Sequence, residues 1–148
     1  MVSTAGYNVW TINFDSGCPN GTIQGCENSR GMPYLKNESL TWVPNSIWNL
    51  GLEANLGLDT YANFGFDTVT LGWQGSGLPT VARTVIANVG VNDFWLGTFG
   101  LNPQSTNFST FNEPQLSFIS QLKNNNTIPS LAYGYTAGNQ YRKLYIAG

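Results

Sequence analysis

The chain has 148 residues, 41% of them hydrophobic and 14% aromatic, which is enough for one domain with its own core and too apolar for a disordered segment. Only 9% of residues are charged, against about 25% in an average soluble domain, so Asn, Ser, Thr and Gly supply most of the polarity, as in extracellular β proteins. A net charge of −2, with basic residues scattered at Arg30, Lys36, Arg83, Lys123, Arg142 and Lys143, leaves no patch to neutralise phosphates and argues against a nucleic-acid partner. No apolar run nears the roughly 18 residues of a membrane span, and no basic region followed by an apolar block opens the chain, so neither a span nor a secretion signal is expected within it.

Trp10, Ile12 and Phe14 alternate as in a strand. Cys18 and Cys26 follow in a turn-rich loop, either as a local disulfide or as two free thiols; without any His in the sequence they cannot form a zinc site of the usual kind. Residues Phe64 to Leu71 combine aromatic, Val and Thr residues suited to a pleated surface. Gly72 to Pro79 reads as a hairpin connection into a long strand, with Val81, Arg83, Val85, Ala87, Val89 and Val91 on one side and Thr80, Ala82, Thr84, Ile86 and Asn88 on the other. A helix is expected after Asn112, with Glu113 and Pro114 in its first turn, Leu116, Ile119 and Leu122 at helical spacing, and Asn124 to Asn126 ending it. The expectation is an all-β class with one or two short helices. Neither a repeat nor a linker divides residues 1–148 into two domains.

Chemistry-bearing residues are few. The acids are Asp15, Asp59, Asp67 and Asp93 with Glu27, Glu38, Glu53 and Glu113, and none forms a motif suited to hydrolysis, although spacing alone leaves a glycosidase-like pair open. Ser3 lacks an activating base: there is no His, and neither Lys36 nor Lys123 lies in a Ser/Lys motif, so Ser3 and Thr4 read as hydroxyls satisfying a tight loop. Trp42, Trp48, Trp73 and Trp95 could form a sugar or peptide platform or belong to the core. Asn20, Asn37, Asn107 and Asn125 begin glycosylation sequons, yet with 18 Asn and 25 Ser or Thr in the chain, chance alone yields roughly three. No metal or cofactor is expected.

The segment Val2-Ser3-Thr4-Ala5-Gly6-Tyr7-Asn8-Val9-Trp10 resembles the first active-site motif of the pepsin-like aspartic peptidases, which reads hydrophobic-Asp-Thr-Gly-Ser-x-Asn-x-Trp. Thr4, Asn8 and Trp10 keep their places, while Ser3 stands at the catalytic aspartate and Ala5 at the glycine. Later segments follow in the family's order. Gly65-Phe66-Asp67-Thr68-Val69-Thr70-Leu71-Gly72 is similar to the Gly-Tyr-Asp-Thr-Val-x-Val-Gly strand after the flap, and Gly97-Thr98-Phe99-Gly100-Leu101 to Gly-Ile-Leu-Gly-Leu, with Leu96 where an acid usually precedes. Pro114 to Lys123 and Ile128 to Tyr135 resemble the helix and strand that close the first lobe. The usual Tyr-Gly of the flap tip is missing from residues 55–61. The chain is also similar to secreted fungal members with a Ser-Thr-Ala-Gly type sequence in place of Asp-Thr-Gly.

The resemblance implies an incomplete N-terminal lobe of the acid-protease fold, spanning residues 1–148 as one partial domain, with a small loop disulfide between Cys18 and Cys26, an extracellular location, and a cleft for peptide. Family members use two aspartates, one per lobe, to hold and activate water, so replacement at Ser3 and absence of a second lobe imply an inactive peptidase-like chain. The alternative is a secreted, noncatalytic module binding peptide or glycan. Sheet edges left bare by missing outer strands would favour self-association.

Overall fold

A computed structural model describes residues 1–51, 57, 60–72, 75–108, 113–137 and 142–147. The described elements are β1 (Val2–Ser3), β2 (Val9–Ile12), α1 (Phe14–Gly17), a 3₁₀ turn (Pro19–Gly21), α2 (Ile23–Ser29), β3 (Val43–Asn49), β4 (Tyr61–Thr70), β5 (Thr80–Val89), β6 (Thr98–Gly100), α3 (Phe118–Asn124), β7 (Ala132–Ala137) and β8 (Arg142–Ala147). The mainly β class holds, with three short helices rather than one or two. No helix among the described residues is long and apolar enough to cross a membrane.

Six strands form a mixed sheet in the order β1-β6-β2-β5-β4-β3, and β7 and β8 pair separately as an antiparallel hairpin. β3, β4 and β5 form an antiparallel meander, and the expected turn over residues 72–79 returns the chain so that Thr70 faces Thr80. β2 runs parallel to β5. Between β1 and β2, neighbours in sequence, lies β6 from nearly a hundred residues later, parallel to one and antiparallel to the other. Strand β2 ends at Ile12, and Phe14 opens α1, whose first turn is capped by the Asn13 side chain accepting from the Asp15 N–H at 3.1 Å.

Apolar residues separate onto the two faces. Ala62, Phe64, Phe66, Val85, Ala87 and Val89 share one cluster with Leu50 and Phe108, where Phe108 stacks on Phe64 at 5.5 Å. Burying each such large side chain stabilises the fold by about 1.5–3 kcal/mol. On the other face Val9, Val81 and Leu101 meet Phe118, Ile119 and Leu122 of α3.

Val81 thus lies on the face opposite Val85, contrary to strict alternation. A bulge is the reason: the register shifts between Asp67/Val69 and their partners Thr84/Val81, and Arg83 takes φ 55° at the extra residue. One added residue reverses the side-chain parity, which frees Val81 for the helix. Arg83 then lies with its guanidinium 4.4 Å from the Phe66 ring centre.

Helix α3 begins later than the sequence implies. Gln115 exchanges backbone hydrogen bonds with Thr106 at 2.7 and 2.8 Å, which keeps Glu113 to Leu116 extended, and Ser117 caps the helix through its side chain. Leu116 is consequently exposed, whereas Ile119 and Leu122 are buried as their spacing predicts. The loop between Cys18 and Cys26 is more ordered than its composition implies: the 3₁₀ turn and α2 occupy it, and Thr22 caps α2 at the Gly25 N–H.

Candidate functional site

Ser3 ends β1 at the mouth of a cleft of about 480 Å³ walled by Trp10, Phe94, Trp95 and Leu96. Its hydroxyl oxygen accepts the Gly6 N–H at 2.9 Å, and its carbonyl accepts the Leu101 N–H at 2.8 Å. The turn is fastened further by Asn102 N–H to the Gly6 carbonyl at 3.0 Å, by the Asn102 amide to the Ala5 carbonyl at 3.1 Å, and by Thr106 to the Asn8 side chain at 2.5 Å. Gly100 is required where β6 crosses this turn. A Cβ there would lie 2.6 Å from the Gly6 oxygen and 2.7 Å from the Asn8 oxygen. Two segments singled out in the sequence, residues 2–10 and 97–101, are therefore one interlocked unit.

The opposite wall of the cleft is held by a residue that the sequence did not mark. Arg30 is buried, and its guanidinium donates to the carbonyls of Gly17 at 2.5 Å, Val91 at 2.7 Å, Phe94 at 2.8 Å and Trp95 at 3.1 Å, and to the Asn92 side chain at 3.1 Å. Five donors in a planar fork match five oxygens, which compensates the burial of the charge. Burial lowers the Arg30 pKa from its ordinary value. Trp95 lies against the same guanidinium, 5.3 Å from ring centre, and its indole N–H donates to the Ser29 carbonyl at 2.6 Å. Arg30 is in turn placed by α2, where its N–H bonds the Cys26 carbonyl at 2.6 Å, and Cys26 is bridged to Cys18. A lone Arg shortly after a cysteine in so uncharged a chain was the available signal.

The described lining of the cleft is mostly apolar. Asp93 is the one carboxylate among its described lining residues, and it accepts a hydrogen bond from Thr60 at 3.3 Å. Among the described residues no hydrogen bond joins the Ser3 hydroxyl to Asp93 or to another base. The Thr98 hydroxyl oxygen, buried at the cleft floor, has no partner within the described protein, and neither does the Asn88 amide nitrogen deeper in the sheet. Trp10 meets Phe94 edge to face at 4.9 Å, which joins the two rings in one aromatic wall.

The remaining candidates disperse. Cys18 and Cys26 form a disulfide with their Cα atoms 4.9 Å apart. Asn20, Asn37, Asn107 and Asn125 are all exposed. The four tryptophans do not assemble into a platform among the described residues: Trp42 meets Tyr34 edge to face, Trp48 packs on the core, Trp95 belongs to the cleft wall, and Trp73 lies outside the described residues. Glu53 and Asp59 also lie outside them, as does most of the stretch 55–61. Asp15 pairs with Lys36 at 3.1 Å.

Asp67 is buried as a structural anchor. Oδ2 accepts from the Tyr34 hydroxyl and from Ser39 at 2.7 Å, while Oδ1 accepts from the Thr41 hydroxyl and from the Thr68 N–H at 2.7 Å. Burial opposes ionisation, but the donors from Thr41, Tyr34, Ser39 and Thr68 outweigh it and lower the Asp67 pKa. Burial and the adjoining carboxylate raise the Tyr34 pKa well above the usual phenol value. The loop from Tyr34 to Thr41 is thereby tied to β4.

No protein-family model matches the chain, and no curated protein matches it.

Proposed function

We propose that the chain is the first lobe of a pepsin-like aspartic-peptidase domain that has lost its catalytic acid and keeps the cleft at Ser3 as a noncatalytic binding site for an extended, apolar-rich peptide. The observation that carries this reading is the Ser3 environment: the side chain at the position of the family's aspartate accepts a backbone N–H inside a walled cleft whose one described carboxylate, Asp93, bonds Thr60 and not Ser3. Peptide hydrolysis by such a fold needs one carboxylate to take a proton from water and another to polarise the scissile carbonyl. A serine hydroxyl does neither at acid pH, and losing one positioned acid–base group forfeits about 10²–10⁴ in rate.

Support for the lobe assignment comes from the pairing of β1 and β2, within residues 2–10, with β6, within 97–101, and from residues 65–70 of β4 lying in the same sheet. Support for peptide over glycan comes from the wall, which is aromatic and aliphatic, with Ser3, Asp93 and Thr98 as its few polar side chains. The resemblance further implies an extracellular location, and the disulfide is in keeping with that.

Incubating the protein with a denatured protein substrate from pH 2 to 7 tests the catalytic half of the proposal. No pepstatin-sensitive cleavage is expected, and its appearance would overturn inactivity. Tryptophan fluorescence titrated with apolar-rich peptides tests the binding half: saturable quenching that disappears in Trp10→Ala is expected. Saturation by oligosaccharides alone would replace the peptide by a glycan.

A further inference from the structure

A second groove, of about 460 Å³, lies between the Lys36 to Trp42 loop and β3, the bare edge of the main sheet. Its wall is Trp42, Pro44 and Ile47, and its polar lining includes the amides of Asn37, Asn45 and Asn63. Lys36, its one charged lining residue, is already paired with Asp15. An aromatic and aliphatic wall facing neutral amides suits the apolar ring face and the hydroxyl and acetamido groups of a pyranose. What covers this surface is indicated by its own rim, because Asn37 opens the sequon Asn37-Glu38-Ser39 and its side chain is exposed.

We infer that Asn37 carries an N-linked glycan whose first sugars lie in this groove against Trp42 and Ile47, shielding the β3 edge from pairing with another chain. Ile47 is 70% exposed and Val43 49%, on a strand with no outer neighbour among the described residues. Such an edge templates association unless covered. A tethered sugar meets the wall at high effective concentration, so weak ring contacts suffice to hold it. The rim is fixed in advance, since Ser39 and Thr41 both bond Asp67 and Trp42 packs over Gly65. In the transfer, a bond forms between Asn37 Nδ2 and C1 of an N-acetylhexosamine while the bond from C1 to its lipid pyrophosphate carrier breaks. The pyrophosphate leaves with the electron pair, and the amide proton passes to a base of the transferase.

The inference depends on passage through a secretory compartment and not on the Ser3 cleft, so an inactive or active cleft leaves it untouched. The chain is produced with an appended secretion signal in a eukaryotic host and, separately, unglycosylated in bacteria. Mass spectrometry is expected to find Asn37 occupied, gel filtration to show a monomer, and Asn37→Gln to at least double the apparent mass, while Asn125→Gln has no effect. The bacterial protein should associate likewise, and Ile47→Lys on the exposed edge should return both to monomer. An unmodified Asn37 in the secreted protein, a monomeric Asn37→Gln variant, or a monomeric bacterial protein would each overturn the inference. Association that persists in Ile47→Lys would also overturn it, by placing the interface away from β3.

Discussion

Replacing Asp67 by Asn tests whether this buried carboxylate is the tie between the Tyr34 to Thr41 loop and β4. Asn retains the volume and one acceptor oxygen, so the bonds from Thr41 and Thr68 survive at Oδ1, while those from Tyr34 and Ser39 lose their charged acceptor. Hydrogen bonds to an ionised group are worth about 1.5–3 kcal/mol each, and both hydroxyls can turn to accept from the new amide, recovering about 1 kcal/mol apiece. The expected loss is therefore about 1–4 kcal/mol at pH 7, read from urea unfolding as a lower midpoint with an unchanged slope. The pH dependence has a defined sign. Because the folded pKa lies below the unfolded value of about 3.9, the carboxylate contributes fully above that value and loses its contribution as pH falls through the folded pKa. Wild type and Asp67→Asn should accordingly differ most from pH 5 to 7 and converge in stronger acid. A variant within about 0.5 kcal/mol of wild type at pH 7, or a deficit that grows toward acid, would refute the reasoning.

Arg30→Met should destabilise by about 3–5 kcal/mol, since four carbonyls and an amide oxygen lose their donor, and should weaken peptide binding by releasing the Phe94 and Trp95 wall. Titration of a variant confirmed folded by circular dichroism separates the two effects. Gly100→Ala should cost about 1–3 kcal/mol and disturb the Ser3 turn, measured by thermal unfolding. Replacing Cys18 and Cys26 by Ser removes a crosslink over a short loop and should cost about 2 kcal/mol in chemical denaturation, and the paired loss of Arg30 anchoring should show in the same titration. Ser3→Asp alone should produce no acid-dependent cleavage, because Asp93, the other carboxylate among the described cleft-lining residues, bonds the Thr60 hydroxyl and makes no hydrogen bond to Ser3.

Much of the strand content was legible in the residues because it is local. Period-two alternation from Val85 to Val89, and the glycine- and proline-rich turn between Thr70 and Thr80, specify β4 and β5 through chemistry that needs no distant partner. Ile119 and Leu122 marked the buried face of α3 in the same way. The helix start was lost because Gln115 bonds Thr106, a commitment made across the fold. Val81 changed face because a bulge at Arg83 answers to the pairing partner on β4, and parity along one strand does not contain that information.

The candidate site divides along the same line. The sequence by itself determined that Ser3 brings no carboxylate to its motif, that no His can activate it, and that few charges are available anywhere for catalysis. Tertiary structure alone decided that β6 passes between β1 and β2, that Gly100 must lack a Cβ there, and that Arg30 clamps the far wall of the cleft. The physical reason is range: side-chain chemistry and turn preference act over a few residues, whereas a cleft is made by backbone oxygens and aromatic rings that only folding brings within hydrogen-bond and van der Waals distance.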